Sequence, residues 1–446
     1  MKELTKEQLE RFEQAFRADR KNLAAMNAVT ENGVLKSAKN SEALRHDYHE
    51  FSVKLEQRGI TNQKKSGRCW MFAATNVMRF ELIKQLNLDD FELSQSYLFF
   101  YDKLEKSNYF LENILKTLDE AQGSRLLAWL LAGPLSDGGQ WDMLASLVDK
   151  YGVVPKYAMP ETFSSSDSGE MVAVLTEKLR GFACALRKAY AAGKSTDELR
   201  RMKEDMLAVV YRMLCICLGC PPKHFDLEVR TKDGKFIRDA GLMPHAFYKK
   251  YIGLDLSRYI SVINAPTADK PFYKSYSVRF LGNVQGGRPV RYLNADIGTL
   301  KAAAIAQLKD GRPVWFGSDV GKLSSREEGI MDPDIYDRED LFNTDFPMTK
   351  AERLDYGHSL MTHAMVLQGV NLDGDGRPNR WRVENSWGKD RGKDGYFLMS
   401  DRWFDEYLYQ VVVSRKYLSP ALLAAYDAEP IMLEPWDPMG SLAILR

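Results

Sequence analysis

The sequence predicts an α+β fold, with helices gathered in the first half and strands in the last quarter. Three observations lead there. Residues 170–219 read as two long helices; the second is opened by a capping box, Ser195-Thr196-Asp197-Glu198, and stopped by Gly219 ahead of Pro221-Pro222. Thr362–Val370 is an apolar run and Arg380–Glu384 alternates, so the two read as an antiparallel hairpin across the turn-rich Asn371–Asn379 connector. Between these regions a helix over Leu300–Leu308 is followed by a short buried strand, Pro313–Phe316. Helical runs followed by strand runs define this class.

The 446 residues suffice for two or three domains, or for one enlarged core with insertions. Hydrophobic content of 45% and charged content of 28% are those of an ordinary globular chain. Lys+Arg 62 against Asp+Glu 61 leaves a net +1, which argues against a globally basic nucleic-acid binder. The pairs Arg200-Arg201 and Lys249-Lys250 read as solvated helix faces. Five scattered cysteines do not make a disulfide framework. The first residues, MKELTKEQLERFEQAF, lack the apolar core of a signal peptide, and no stretch reaches the ~18 apolar residues of a membrane helix. The expectation is a reducing, cytoplasmic location with no membrane association.

In chain order, residues 5–24 predict an amphipathic helix with Leu9, Phe12, Phe16 and Leu23 on one face. Asn62–Thr75 is a polar loop that turns through Ser66-Gly67 into a mostly buried helix running to about Lys84–Leu88. Ser94 caps the next helix, whose Tyr97, Phe99, Phe100 and Tyr101 read as packing. Ser136-Asp137-Gly138-Gly139 is a tight turn whose paired glycines allow close backbone approach. Tyr151–Pro155 and Met159-Pro160-Glu161 form an extended, proline-pinned connection. Residues 164–169, rich in serine, read as a surface linker, and 222–300 as short strands and turns. The acidic stretch 324–348 reads as a surface loop.

No metal site is expected. Cys215, Cys217 and Cys220 sit at a helix end with no histidine at zinc spacing, and positions 215 and 217 point to different sides. Asp373, Asp375 and Glu384 imitate half of a calcium loop, but Arg377 and Pro378 stand where that loop needs a ligand and a glycine. No cofactor is implied either.

The chemistry is carried by a different set. Cys69 lies in the first turn of a helix, where unpaired N–H groups and the positive end of the macrodipole favour a thiolate. A thiol nucleophile needs a base, and that base needs an orienting group. Of six histidines, His363 is the one set in an apolar strand. A lone histidine there is usually a satisfied core residue. Asn385 shifts the balance, because the hairpin brings it back beside His363, where its amide oxygen can accept the ring N–H. Trp387 can shield that bond. Gln63 can point a side-chain N–H to the same place as the Cys69 backbone N–H, and two such donors make an oxyanion hole.

These residues, in this order, resemble the papain-like cysteine peptidases: Gln63-(x5)-Cys69-Trp70, Thr362-His363-Ala364 and Glu384-Asn385-Ser386-Trp387-Gly388. The resemblance implies Cys69 as nucleophile, His363 as base and acid, Asn385 as orienter and Gln63 as oxyanion donor. From Cys69 to His363 is 294 residues, against roughly 130–150 in the ordinary pattern. That excess, with Asn62–Thr75, Tyr151–Lys156, Gly311–Gly317, Asp319–Gly321 and Pro435–Gly440, resembles the bleomycin hydrolase / aminopeptidase C branch over nearly the whole chain. It implies a two-subdomain fold with a helical half, a β-barrel-like half, a large mainly helical insertion and a C-terminal arm. The expected division is 1–60 as an N-terminal extension, 61–162 as the helical half, 163–300 as the insertion, 301–430 as the β-rich half and 431–446 as the arm.

In the resembled branch the arm lies in the cleft and turns an endopeptidase into an aminopeptidase, its terminal carboxylate facing the substrate's α-amine. A protonated amine and a carboxylate attract, which makes the device physically sound. Pro435 and Pro438 stiffen the arm and Gly440 lets it bend. The resemblance thus assigns substrate contact to Gly138, Gly139, Trp387, Ala443 and Arg446. The resembled arm ends near Ala443, so Ile444-Leu445-Arg446 is an excess, expected to be trimmed by the enzyme or displaced by substrate. A barrel-like homohexamer acting on peptide substrates is also implied. Two alternatives stay open: a papain-like endopeptidase with an uncommitted cleft, and a hexameric nucleic-acid-binding scaffold, which the near-neutral charge makes the weaker.

Overall fold

The computed structural model describes residues 2–46, 48–56 and 59–444. Among them, twelve strands form one sheet. Its order runs Ile431–Leu433, Lys274–Val278, Tyr292–Asn294, Tyr259–Ile263, Leu408–Ser414, Val314–Ser318, His363–Leu372, Pro378–Glu384, Tyr396–Ser400, Ile330–Met331 and Ser324–Ser325, with Val53–Lys54 also pairing to the His363 strand. A separate hairpin joins Phe225–Arg230 to Phe236–Leu242 across the Asp233-Gly234 turn.

Alternation along the central strands divides the interior into two cores. Ala364, Val366 and Trp315 pack with the helices, whereas Met365, Leu367, Val314 and Phe316 belong to the second core. Successive strand side chains point to opposite faces, so one short strand serves both cores. The helix Cys69–Leu86 lies on the first face and is buried almost all round, from Cys69 through Phe80. A helix that is apolar on every side belongs inside a large protein, and this one is wedged between the helical layer and the sheet.

The expected hairpin forms, with Val366 opposite Glu384 and a bulge between Leu367 and Gly369. Val53's carbonyl oxygen lies where a Gly369 side chain would stand, 2.8 Å from that Cβ position, so the glycine lets the Val53 strand approach.

Some expectations change. The single helix over 5–24 is two, Lys6–Ala18 and Arg20–Asn32. Asp19 breaks it by adopting extended geometry and capping the second helix through Lys21 N–H at 2.8 Å. Leu9, Phe12 and Phe16 are exposed rather than packed. The 164–169 linker is a short helix, Phe163–Ser166, capped by Thr162, with Ser165 and Ser168 buried; serine supplied caps and contacts there, not solvation. Residues 259–294, read as part of the insertion, contribute three strands to the main sheet. The acidic 324–348 stretch adds the last two strands of the sheet, Ile330–Met331 and the edge strand Ser324–Ser325, and buries Ile335, because its few apolar residues cover the sheet edge.

Candidate active site

Cys69 is the first residue of its helix. Arg68 holds the cap position without a side-chain cap, because its guanidinium is used elsewhere: it forks onto Glu161 at 3.1 and 2.8 Å and lies over the Phe72 and Phe99 rings. This ties the helix start to the proline-pinned connection. Burial pushes the Cys69 thiol up to about 11, while the backbone N–H groups of Ala364, Trp70 and Cys69 pull it down. The Ala364 contact sets the sulfur against the strand that begins with His363.

His363 is buried, and its Nε2 lies 2.9 Å from Asn385 Oδ1. The Ser386 N–H donates to the same oxygen at 2.8 Å. A backbone N–H only donates, so the amide oxygen is the atom facing the ring. Nε2 then carries the proton and Nδ1 is the lone-pair nitrogen. Trp387 covers the pair, its ring 4.8 Å from the imidazole, and Arg326 lies over that indole at 4.8 Å. Burial lowers the imidazole to about 4; the Asn385 bond opposes this and the Arg326 charge adds to it.

The turn ahead of His363 is fastened by Asp319, which accepts from Ser359 Oγ at 2.9 Å, Leu360 N at 3.2 Å and Thr362 Oγ1 at 3.2 Å. The far side is fastened by Arg79 and Glu384, paired at 2.6 Å in the core. Glu384 directly precedes Asn385, so this ion pair couples the nucleophile helix to the orienting residue.

Gln63 is fixed at both ends of its amide. Oε1 accepts from Ser386 Oγ at 2.6 Å, and Nε2 donates to Ser66 O at 2.7 Å, which leaves one Nε2 hydrogen uncommitted. Its backbone N–H donates to Ser386 O at 2.9 Å, and Asn62 bridges to Trp387. The Gln63 and Asn385 loops are thereby one unit.

The arm leaves the sheet edge at Ile431–Leu433, parallel to Lys274–Val278. Asp437 pairs with buried Lys270 at 3.0 Å, Tyr292 Oη donates to Met439 O at 3.0 Å, and Ser441 Oγ donates to Met361 O at 2.8 Å, two residues before His363. The Ser136 hydroxyl donates to Ala443 O. A Cβ on Gly138 would meet Leu442 O at 2.0 Å, and one on Gly139 would meet the Trp70 ring at 2.5 Å. Gly138 therefore touches the arm, whereas Gly139 packs against the indole. Ile444 borders a cavity of about 570 Å³ lined by Trp129, Leu135, Asp137, Ser168 and Val172. Arg446 lies outside the described residues.

The sequence pattern of the Peptidase C1-like family matches residues 3–440. This chain belongs to that family. The peptidase is 51% identical over 442 residues to an aminopeptidase C of Listeria monocytogenes, with 99% of both chains covered. It is 41% identical to the bleomycin hydrolase of Homo sapiens, again across 99% of each. Its fold matches the crystal structure of PepW from Lactobacillus rhamnosis at a TM-score of 0.96, with 54% identity, covering 98% of this chain and 99% of that one. Within the peptidase, sequence reasoning passed over Ser386, Ser136, Asp319 and the Arg79–Glu384 pair. Ser386, Glu384, Ser136 and Asp319 stood inside stretches already singled out, though nothing local says what they touch. Arg79 stood in none, and its partner is distant in sequence.

Proposed function

We propose that Cys69, His363, Asn385 and Gln63 carry acyl transfer from peptides, and that the arm restricts the cleft to free N-termini. The enzyme is a cysteine aminopeptidase, in keeping with its full-length similarity to aminopeptidase C. The observation that carries the site reading is the His363–Asn385 bond at 2.9 Å, which leaves Nδ1 as the proton acceptor. Cys69 Sγ attacks the carbonyl carbon of the N-terminal residue as its proton passes to His363. The oxyanion is met by the Cys69 N–H and the uncommitted Gln63 N–H. Collapse breaks the C–N bond, and His363 returns the proton to the leaving amine. His363 then deprotonates water, which hydrolyses the thioester and releases the amino acid and the thiol.

The arm's seat against Gly138 and Ser136 favours this reading over an uncommitted endopeptidase. We place the enzyme in the cytoplasm. The exposed Leu9, Phe12 and Phe16 face suits burial between subunits of a homohexamer, which the elution volume of the full chain tests. Cleavage of free-amine and N-acetylated peptides, with and without residues from Gly440 onward, tests the arm. The full chain is expected to prefer free amines strongly and the truncated chain to lose that preference. Equal cleavage by the full chain makes it an endopeptidase.

A further inference from the structure

Two lysines lie in the interior beneath the Ser136–Gly138 turn, and peptide hydrolysis as derived above uses neither. Lys103 and Lys106 come from one helix, Gln95–Lys116, together with Asp102. Lys103 is fully buried and Lys106 is 6% exposed. Lys106 Nζ donates to Gly138 O at 2.6 Å and Ser136 O at 2.9 Å, and pairs with Asp102 Oδ2 at 2.9 Å. All three ammonium donors are thereby used. Lys103 Nζ donates to Ser136 O at 2.5 Å and pairs with Asp137 Oδ1 at 2.7 Å. The third carbonyl of the turn, Asp137 O, accepts from Trp70 Nε1 at 2.8 Å, one residue after the nucleophile. Asp137 Oδ2 accepts from Gly67 N at 3.1 Å and from the Ser168 hydroxyl. Asn283 steadies Asp102 from the opposite side at 3.1 Å.

Three consecutive carbonyls are thus drawn inward by two ammonium groups and an indole N–H. The peptides are trans, so the N–H groups of Asp137, Gly138 and Gly139 point the other way. The arm lies against the same turn, with Leu442 O at the position a Gly138 side chain would take and Ala443 O on the Ser136 hydroxyl. Two lysines and two aspartates balance in charge, which makes the burial tolerable. A neutral scaffold would hold a turn as well by apolar packing, but it would not orient three carbonyls to one side.

We propose that Lys106 and Lys103 are positioning residues: they hold the Ser136–Gly138 turn with its N–H edge toward the cleft, and so seat both the arm and the substrate backbone. This rests on the arm reading above. Both residues act through the turn, since neither touches the reacting atoms. Burial lowers Lys106 to about 8 against the pull of Asp102, with Lys103 lowering it further, so its charge is held by its partners.

The test uses the full chain carrying Lys106→Met, which keeps the length and burial of the side chain and removes its donors. Three readings are taken: kcat and KM on an aminoacyl-coumarin amide, kcat/KM on its N-acetylated counterpart, and the rate at which iodoacetamide alkylates Cys69. The expected result is a KM rise of about tenfold on the free-amine substrate with kcat changed less, and a rise of about fivefold in the ratio of acetylated to free cleavage. Alkylation of Cys69 is expected not to fall. A parallel loss on both substrates with slower alkylation, or an unchanged ratio, overturns the proposal. Asp102→Asn keeps the shape of Lys106's partner and loosens its hold. It is expected to shift the ratio in the same direction by a smaller factor, and it decides the matter if Lys106→Met does not fold. If the wild type itself cleaves both substrates equally, the arm reading fails, and that outcome is separate from any change between wild type and variant.

Discussion

Asn385 Oδ1 receives two donors, His363 Nε2 at 2.9 Å and the Ser386 backbone N–H at 2.8 Å. The second donor identifies the atom and the first fixes the imidazole tautomer. Among the described residues Asn385 Nδ2 has no hydrogen-bond partner, so the side chain gives up a donor to keep its oxygen on the ring. Replacing Asn385 by Ala frees the ring to rotate and to take either tautomer. The expected loss is about 10–100-fold in kcat with little change in KM, because substrate contacts remain. Steady-state kinetics on a free-amine substrate checks it, and a loss confined to KM contradicts the orienting role.

Gln63 has its oxygen on Ser386 and one amide hydrogen on Ser66, so the remaining hydrogen has a fixed direction. Donors that need no reorganisation are the ones that count in a transition state. Gln63→Ala is expected to cost about 10²–10³ in kcat. Gln63→Glu presents an oxygen where a donor is needed and is expected to be no better than Ala. Rates for the two variants within threefold of wild type remove Gln63 from the oxyanion site.

Gly138 has no room for a side chain, since a methyl group there would stand 2.0 Å from Leu442 O. Gly138→Ala is expected to lift the arm, so that limited proteolysis after residue 430 becomes faster than in wild type. The neighbouring Gly139→Ala meets the Trp70 ring instead and is expected to lower thermal stability. Equal proteolysis of Gly138→Ala and wild type places the arm's hold elsewhere.

The four proposed active-site residues were legible because each sits in a short stretch whose local geometry is readable. Cys69 opens a helix, His363 begins one strand of a hairpin and Asn385 directly follows the other, where period-two alternation and a turn connector fix proximity. What escaped is long-range. Arg79 and Glu384 are 305 positions apart, and nothing local says that two charges will meet in the core. The place of the Tyr259–Asn294 strands in the main sheet escaped for a related reason. They enter the sheet beside Leu408–Ser414, a partner met only much later in the chain. The serine run at 164–169 misled because serine solvates linkers and caps helices equally well.

The Arg79–Glu384 pair is an ion pair buried beside the site. Both side chains are at most 2% exposed, Arg79 Nη2 also donates to Gly59 O at 2.6 Å, and Gln368 donates to Glu384. Removing one partner strands a charge in the core. Glu384→Ala is expected to cost about 3–5 kcal/mol in guanidinium unfolding, and Arg79→Met a similar amount. The double variant is expected to cost less than the sum of the two. Additive losses would show that the two charges do not depend on each other.

The last prediction concerns pH and follows from burial of His363. Its imidazole is lowered to about 4 from an ordinary 6.5, first by burial and then by Arg326, against the Asn385 bond. Between those values the unfolded chain binds a proton that the folded chain refuses. Stability from this group is therefore complete above pH 6.5 and lost as pH falls toward 4. Against His363→Gln, which does not titrate there, the wild type is expected to lose about 2 kcal/mol more on going from pH 7.5 to 5.0. Denaturant unfolding at the two pH values measures the difference. A resting thiolate–imidazolium pair would protonate His363 already at neutral pH and raise its value in the folded state. The difference between wild type and variant would then vanish or change sign. The same experiment thus separates a neutral Cys69–His363 pair, which burial favours, from an ion pair sustained by the helix start and mutual attraction.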